Sequence, residues 1–118
     1  MAEPTTVARP YAEAVFKLAH AEHSLGKWSE ALSALALVAQ DARVRALVAD
    51  PNRPDSEVAH FFISILPGAL GKEGENLVRV LTENKRLGLL SEIRAQYEML
   101  KDASEGVVEA QLMSAFEL

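Results

Sequence analysis

The sequence predicts an all-α fold, a compact six-helix antiparallel bundle, with a short strand-like C-terminal tail belonging to a truncated second domain. Three observations carry that expectation. Apolar residues recur at i, i+3, i+4 and i+7 through six successive segments. The connections between those segments are about two to six residues long, the spacing of antiparallel helical neighbours. After Gly106 the period shortens to two, which is strand spacing.

The first helix is expected to begin near Thr5 or Thr6, either of which can cap, and to run to about Ser24. Pro10 falls within its first turns, where a mild kink or a later start near Ala8 would accommodate the ring. With Tyr11 as origin, Val7, Ala14, Leu18 and Ala21 lie on one flank, and Ala8, Ala12, Val15 and Ala19 on the other. Phe16 lies further round. The apolar arc therefore exceeds roughly 180°, whereas a single core-facing stripe needs only a little over 100°. Two readings follow: a central helix packed on several neighbours, or one core face plus a second face for a partner.

Gly26 is the expected break, and the second helix runs from about Trp28 to Gln40, with Trp28, Ala31, Leu32, Leu35 and Val38 or Ala39 at helical spacing. Trp28 reads as a core anchor. Asp41 can cap a short third helix carrying Val44, Leu47 and Val48, ended by Asp50-Pro51. Asp50 to Asp55 is the clearest loop. Asp55 or Ser56 then caps a fourth helix with Val58, Phe61, Phe62, Ile65 and Leu66 inward, terminated by Pro67-Gly68. The glycines between Gly68 and Gly74 predict a loose corner before the fifth helix.

That fifth segment, Glu75 to Leu90, organises the chain. Leu77, Val80, Leu81, Asn84, Leu87 and Gly88 fall on one half of a helix, while Arg79, Glu83 and Arg86 fall on the other. Asn84 interrupts the apolar seam, and Gly88 reads as the stop before an immediate restart. The sixth helix, from about Leu89 to Ser104, presents Leu89, Ile93, Tyr97 and Leu100. In the tail, Val108, Ala110, Leu112, Ser114 and Phe116 alternate with Glu109, Gln111 and Met113. A lone strand is not a stable unit, so the sequence places a domain boundary between 105 and 106, with 106–118 the start of a second domain.

Composition narrows the function. A chain of 118 residues, 49% hydrophobic and 25% charged, suits one ordinary soluble domain. The net charge of −5 argues against nucleic acid, which needs a cationic face. With no cysteine, thiol chemistry and disulfides are absent, in keeping with a reducing compartment. No run approaches the ~18 apolar residues of a membrane span, and the first residues lack the pattern of a secretory signal, so a soluble cytoplasmic protein is expected.

No segment assembles a nucleophile with a base. His20 and His23, three apart, lack a nearby third ligand, with His60 remote, and read as solvent-facing. GALGKEG from Gly68 has the wrong spacing for a phosphate loop, follows no strand and places no Ser or Thr after the Lys. No cofactor or metal is expected. Asn84 reads as a structural residue bonding backbone of the next turn or helix, and Arg86 as a surface cation or a partner for the last carbonyls of its helix. An interaction module is the leading class, ahead of a helical adaptor or DNA-binding domain and of an enzyme.

TVARPYAEAVFKLA (Thr6 to Ala19), ENLVRVLTENKRLGLL (Glu75 to Leu90) and Tyr97 followed by EGVVEAQLMSA together resemble the delta subunit of bacterial F-type ATP synthase, the relative of the mitochondrial oligomycin-sensitivity-conferring protein. The resemblance spans the whole chain. It implies a six-helix N-terminal domain and a smaller C-terminal one, in a non-catalytic stator subunit of the peripheral stalk. The N-terminal domain would hold the N-terminal helix of an alpha subunit between its first and fifth helices, and the missing C-terminal domain would meet the b subunits. Location at the cytoplasmic face of the bacterial plasma membrane is implied, without insertion, as is a monomeric isolated domain.

From composition alone, Tyr11, Ala14, Val15 and Leu18 read as plain core. The resemblance moves Tyr11, Ala14 and Leu18, within about 60° of arc at 100° per residue, to the partner-facing side. Val15 joins them as a candidate. Ala14 is the most telling, because a small residue lets another helix backbone approach. Leu77 and Val80 form the facing wall, with Leu81 in the core.

Overall fold

The structure, a computed structural model, describes residues 3–66 and 68–116, with side chains of 3–66, 68 and 70–106. Six α-helices fill it: α1 (Pro4–Ala21), α2 (Leu25–Gln40), α3 (Ala42–Ala49), α4 (Asp55–Ile63), α5 (Gly71–Glu83) and α6 (Leu90–Phe116). Short 3-10 turns, Gly68–Leu70 and Leu87–Leu89, lead into α5 and α6. The all-α expectation holds among the described residues.

α1 starts earlier than expected because Pro4 occupies the first helical position, where its missing N–H costs nothing. Pro10 is carried inside the helix. The buried residues of α1 are Ala8, Ala12, Val15 and Ala19. Three are alanines, so α6 can approach α1 closely, and these two helices form the most extensive pairing in the molecule.

Neighbours along α1 advance in the same sense on α6. Gln96 donates to the Thr5 carbonyl at 2.8 Å, and Ala103 and Ser104 lie beside Phe16 and His20. α2 runs the other way: Tyr97 Oη donates to the Leu25 carbonyl, Arg94 to Ser33 and Gln40 to Ser91. Trp28, Leu32, Leu35, Ile93 and Tyr97, all essentially without solvent exposure, fill the space between. α4 and α5 form a separate pair, capped into the core by Phe62, Val78 and Leu81.

Asp41 caps α3 as expected, accepting from the Arg43 amide at 2.8 Å. The Arg43 guanidinium bonds to the same carboxylate and, with that amide, holds its pKa below the ordinary value. α3 nonetheless buries no residue, so Val44, Leu47 and Val48 form a half-covered shoulder rather than core. Phe61, expected inward, is 37% exposed, while its neighbour Phe62 takes the core position. Pro67 lies outside the described residues.

Two helix ends differ from expectation for one reason. α1 ends with His23 at φ 54°, where the Ser24 amide reaches back to the Ala19 carbonyl at 2.8 Å. α5 ends with Lys85 at φ 58°, where the Arg86 amide reaches the Leu81 carbonyl at 2.8 Å. Both are left-handed C-caps of the Schellman type, usually filled by glycine. Gly26 and Gly88, the expected breaks, lie inside α2 and inside the turn before α6. Conversely α5 begins at Gly71, whose φ of 55° turns the chain into it, and absorbs Gly74. A Cβ at Gly74 would come within 3.2 Å of Leu70 and Leu66 side-chain atoms, so glycine there reflects close packing, not a loose corner.

The tail corrects the strand expectation. α6 continues without interruption through Phe116, 27 residues in all. Extending an established helix requires no new nucleus, so a weak period-two pattern does not stop it.

Candidate partner-binding surface

The two flanks of α1 separate as their composition allowed. Ala8, Ala12, Val15 and Ala19 are buried against α6 and α2, whereas Val7, Tyr11 and Leu18 are half-buried and Ala14 and Ala21 exposed. The helix thus has one core face and a second apolar face left toward solvent. Val15 belongs to the first. At 4% exposure it is core, and the partner-facing expectation for that residue is corrected. Its position on the inner side of Tyr11 turns it away from Ala14.

On α5 the core is built by Gly74, Val78, Leu81 and Thr82. Thr82 satisfies its buried hydroxyl by donating to the Val78 carbonyl at 2.7 Å, one turn back. Leu77 is half-buried and Val80 is 42% exposed, so both fall outside that core face. Val78 and Thr82 were missed in the sequence because Leu77, Val78, Val80 and Leu81 are all apolar and straddle both flanks of the helix. Trp28 is fully enclosed.

Asn84 and Arg86 do more than decorate a helix end. Asn84 is not within the seam of a helix but at its C-cap, and its side chain bonds neither the next turn nor the next helix backbone. Its Nδ2 donates to the Tyr11 hydroxyl at 3.3 Å. The Arg86 guanidinium donates to the same hydroxyl at 2.9 Å and lies 5.8 Å from the Tyr11 ring centroid. It is the main-chain N–H of Arg86, not the side chain, that satisfies a carbonyl of the helix end. Between them, Lys85 reaches across to Asp55 at the start of α4. Three consecutive residues therefore fasten the α5 terminus to α1 and α4.

On the two helices so joined, Ala14 and Val80 are exposed, whereas Tyr11, Leu18 and Leu77 are half-buried against the edge of the core. Clefts among the described residues lie elsewhere. One of about 880 Å³ is bounded by Leu37, Val44, Leu47 and Phe61. A smaller one between α4 and α5 is bounded by Asp55, His60, Arg79 and Glu83. His20 and His23 are both exposed. Among the described residues no group of three His, Cys, Asp or Glu side chains could hold a metal ion, and no helix is long and apolar enough to cross a membrane.

Comparison with known proteins gives a consistent picture. The family model described as ATP synthase delta (OSCP) subunit matches residues 7–118. The chain is 44% identical over 116 residues to a protein of Nitrosospira multiformis named ATP synthase subunit delta, covering 98% of this chain and 65% of that one. Proteins of the same name from Laribacter hongkongensis and Aromatoleum aromaticum are 49% and 45% identical over 118 residues, 100% of this chain and 66% of each relative. The chain thus spans a little under two thirds of the length of the relatives it matches.

Proposed function

Since the chain belongs to the ATP synthase delta (OSCP) subunit family, we propose that it serves as a non-catalytic stator element of an F-type ATP synthase. In this role it binds the N-terminal helix of an alpha subunit on the surface between α1 and α5. The b subunits of the stalk attach through sequence beyond the helical domain, whose boundary we place between 105 and 106. The working location is the cytoplasmic side of the plasma membrane, on the catalytic head.

The observation that supports this reading best is the two-faced apolar character of α1. Its inner flank is used by the core, yet Val7, Tyr11, Ala14 and Leu18 continue the apolar surface outside it. An amphipathic partner helix reads such a surface through anchors at i, i+3, i+4 and i+7. Nothing in the role needs a reacting group. A stator must resist torque, so slow dissociation is the property that matters, and apolar burial with water excluded supplies it.

The reading is tested by mixing the chain with isolated catalytic head and following co-migration on a sizing column. Co-migration with intact head, lost when the alpha N-terminal segment is removed, is the expected result. Retention of both heads equally would put the contact elsewhere, and salt-sensitive retention on DNA would favour the adaptor alternative.

A further inference from the structure

We propose that Asn84 and Arg86 are positioning residues for the α1/α5 surface, fixing the separation of its two walls through the Tyr11 hydroxyl before any partner arrives. The inference rests on the partner-helix reading above and adds what holds that surface in shape.

The need for such a device follows from how the helices pair. α1 packs chiefly on α6 and α2, whereas α5 packs chiefly on α4 and the Gly68–Leu70 turn. The two walls therefore belong to different packing units, and α1 and α5 do not interlock extensively along their lengths. Ridges set into grooves would normally fix an interhelical distance. Here the hydrogen bonds found between α1 and the end of α5 both terminate on one atom, the Tyr11 hydroxyl oxygen.

The donors are themselves firmly placed. Lys85 in the left-handed region closes the helix end, and the Arg86 amide is bonded to the Leu81 carbonyl. Leu81 is fully buried, and Leu87, immediately after Arg86, is 3% exposed. The corner is thus a rigid base from which two side chains converge. A phenolic oxygen has room for two donors, and the guanidinium near the ring adds orientation as well as attraction. All three polar groups are accessible to water, so their net effect on folding is small. Their effect on geometry is not. A surface held in its binding form spares the partner the cost of ordering it.

Tyr11→Phe keeps the ring and deletes the shared acceptor. The chain contains no cysteine, so spin labels can be placed uniquely through Lys17→Cys on α1 and Lys72→Cys on α5, both exposed. In the free chain, Tyr11→Phe and Arg86→Gln are each expected to broaden or shift the label-to-label distance distribution. An unchanged distribution in both overturns the proposal.

The second measurement is association with a synthetic peptide of the alpha N-terminal segment. If the competent fraction falls to about one tenth, apparent affinity falls about tenfold, with the loss in the association rate. The thermal midpoint should move by less than about 4 °C, a small shift for a domain of this size. Because the two substitutions open one clasp, Tyr11→Phe with Arg86→Gln should bind no worse than either alone. Additive losses would show two independent contacts with the partner and overturn the positioning role. A broadened distribution with no peptide binding even by the wild type leaves the α1–α5 clasp standing and removes the partner assigned to it.

Discussion

Arg86 and Tyr11, 75 residues apart in sequence, meet with the guanidinium 2.9 Å from the phenolic oxygen and 5.8 Å from the ring centroid. The contact joins the end of α5 to the middle of α1, two helices whose main packing partners are different. It also explains why the residues after α5 are polar although Leu87, Leu89 and Leu90 follow at once. The polar triplet fastens the corner from outside, and the leucines close it from within.

The two flanks of α1 should respond in opposite ways to added bulk. Ala12 has no exposure and faces α6. Ala12→Leu is expected to destabilise by about 1–3 kcal/mol, the usual consequence of overpacking. Ala14→Leu, on the open flank, should stay within roughly 0.5 kcal/mol of wild type. Chemical denaturation of both variants measures the contrast, and equal losses would contradict the division of α1 into core and open faces.

His23 holds a left-handed conformation at φ 54° with its side chain exposed. A residue with a Cβ pays roughly 1–2 kcal/mol there, against about 0.5–1 kcal/mol of extra unfolded-state freedom for glycine. His23→Gly is therefore expected to stabilise by roughly 0.5–1 kcal/mol. Lys85→Gly, at φ 58°, should gain less, because it also removes the exposed ion pair with Asp55. Thermal melts of the two variants decide the order.

These two positions also show where the sequence was legible and where it was not. The periodic segments marked all six helices, since burial of an apolar stripe is what makes a helix persist in a bundle. Helix ends were harder. Glycine is the usual left-handed residue, yet His23 and Lys85 fill that role, held by the packing of Ala19 and Leu81 behind them. Gly26 and Gly88 meanwhile adopt ordinary conformations. The open face of α1 was readable as an excess of apolar arc. The fastening of Tyr11 by Asn84 and Arg86 was not, because no local pattern encodes a contact between such distant residues. The tail misled because alternation over ten residues is compatible with a helix already running.

Tyr97 gives the fold an alkaline limit. Burial pushes its phenol up to about 12, against an ordinary value near 10. The folded state thus favours the neutral form. The stability is fully present below about pH 10 and is lost as pH rises toward 12, by at most about 3 kcal/mol at 1.36 kcal/mol per pKa unit. Tyr97→Phe should lose about 1 kcal/mol at neutral pH, from the hydrogen bond to the Leu25 carbonyl, and should abolish most of this alkaline dependence. Denaturation midpoints of both proteins from pH 8 to 12 test the sign.

The proposed boundary between 105 and 106 also carries a consequence. Among the described side chains of α6, which end at Gly106, the last buried one is Tyr97, and those from Lys101 to Gly106 are half-buried or exposed. Removal of residues 107–118 is expected to leave the helical domain folded, with stability within about 1 kcal/mol of the full chain. A loss above roughly 2 kcal/mol, the scale of core damage, would assign the end of α6 to the same folding unit.

The most direct test is Ala14→Asp titrated with a synthetic alpha N-terminal peptide by calorimetry. Ala14 is exposed in the free chain, so the carboxylate should remain hydrated, and circular dichroism and thermal midpoint should change little. In the complex the same charge would be buried without a partner, a change that typically costs about 3–5 kcal/mol. At about 1.4 kcal/mol per decade, affinity should fall by two to three orders of magnitude or more. A variant that stays folded and binds the peptide like wild type would contradict the α1/α5 docking surface.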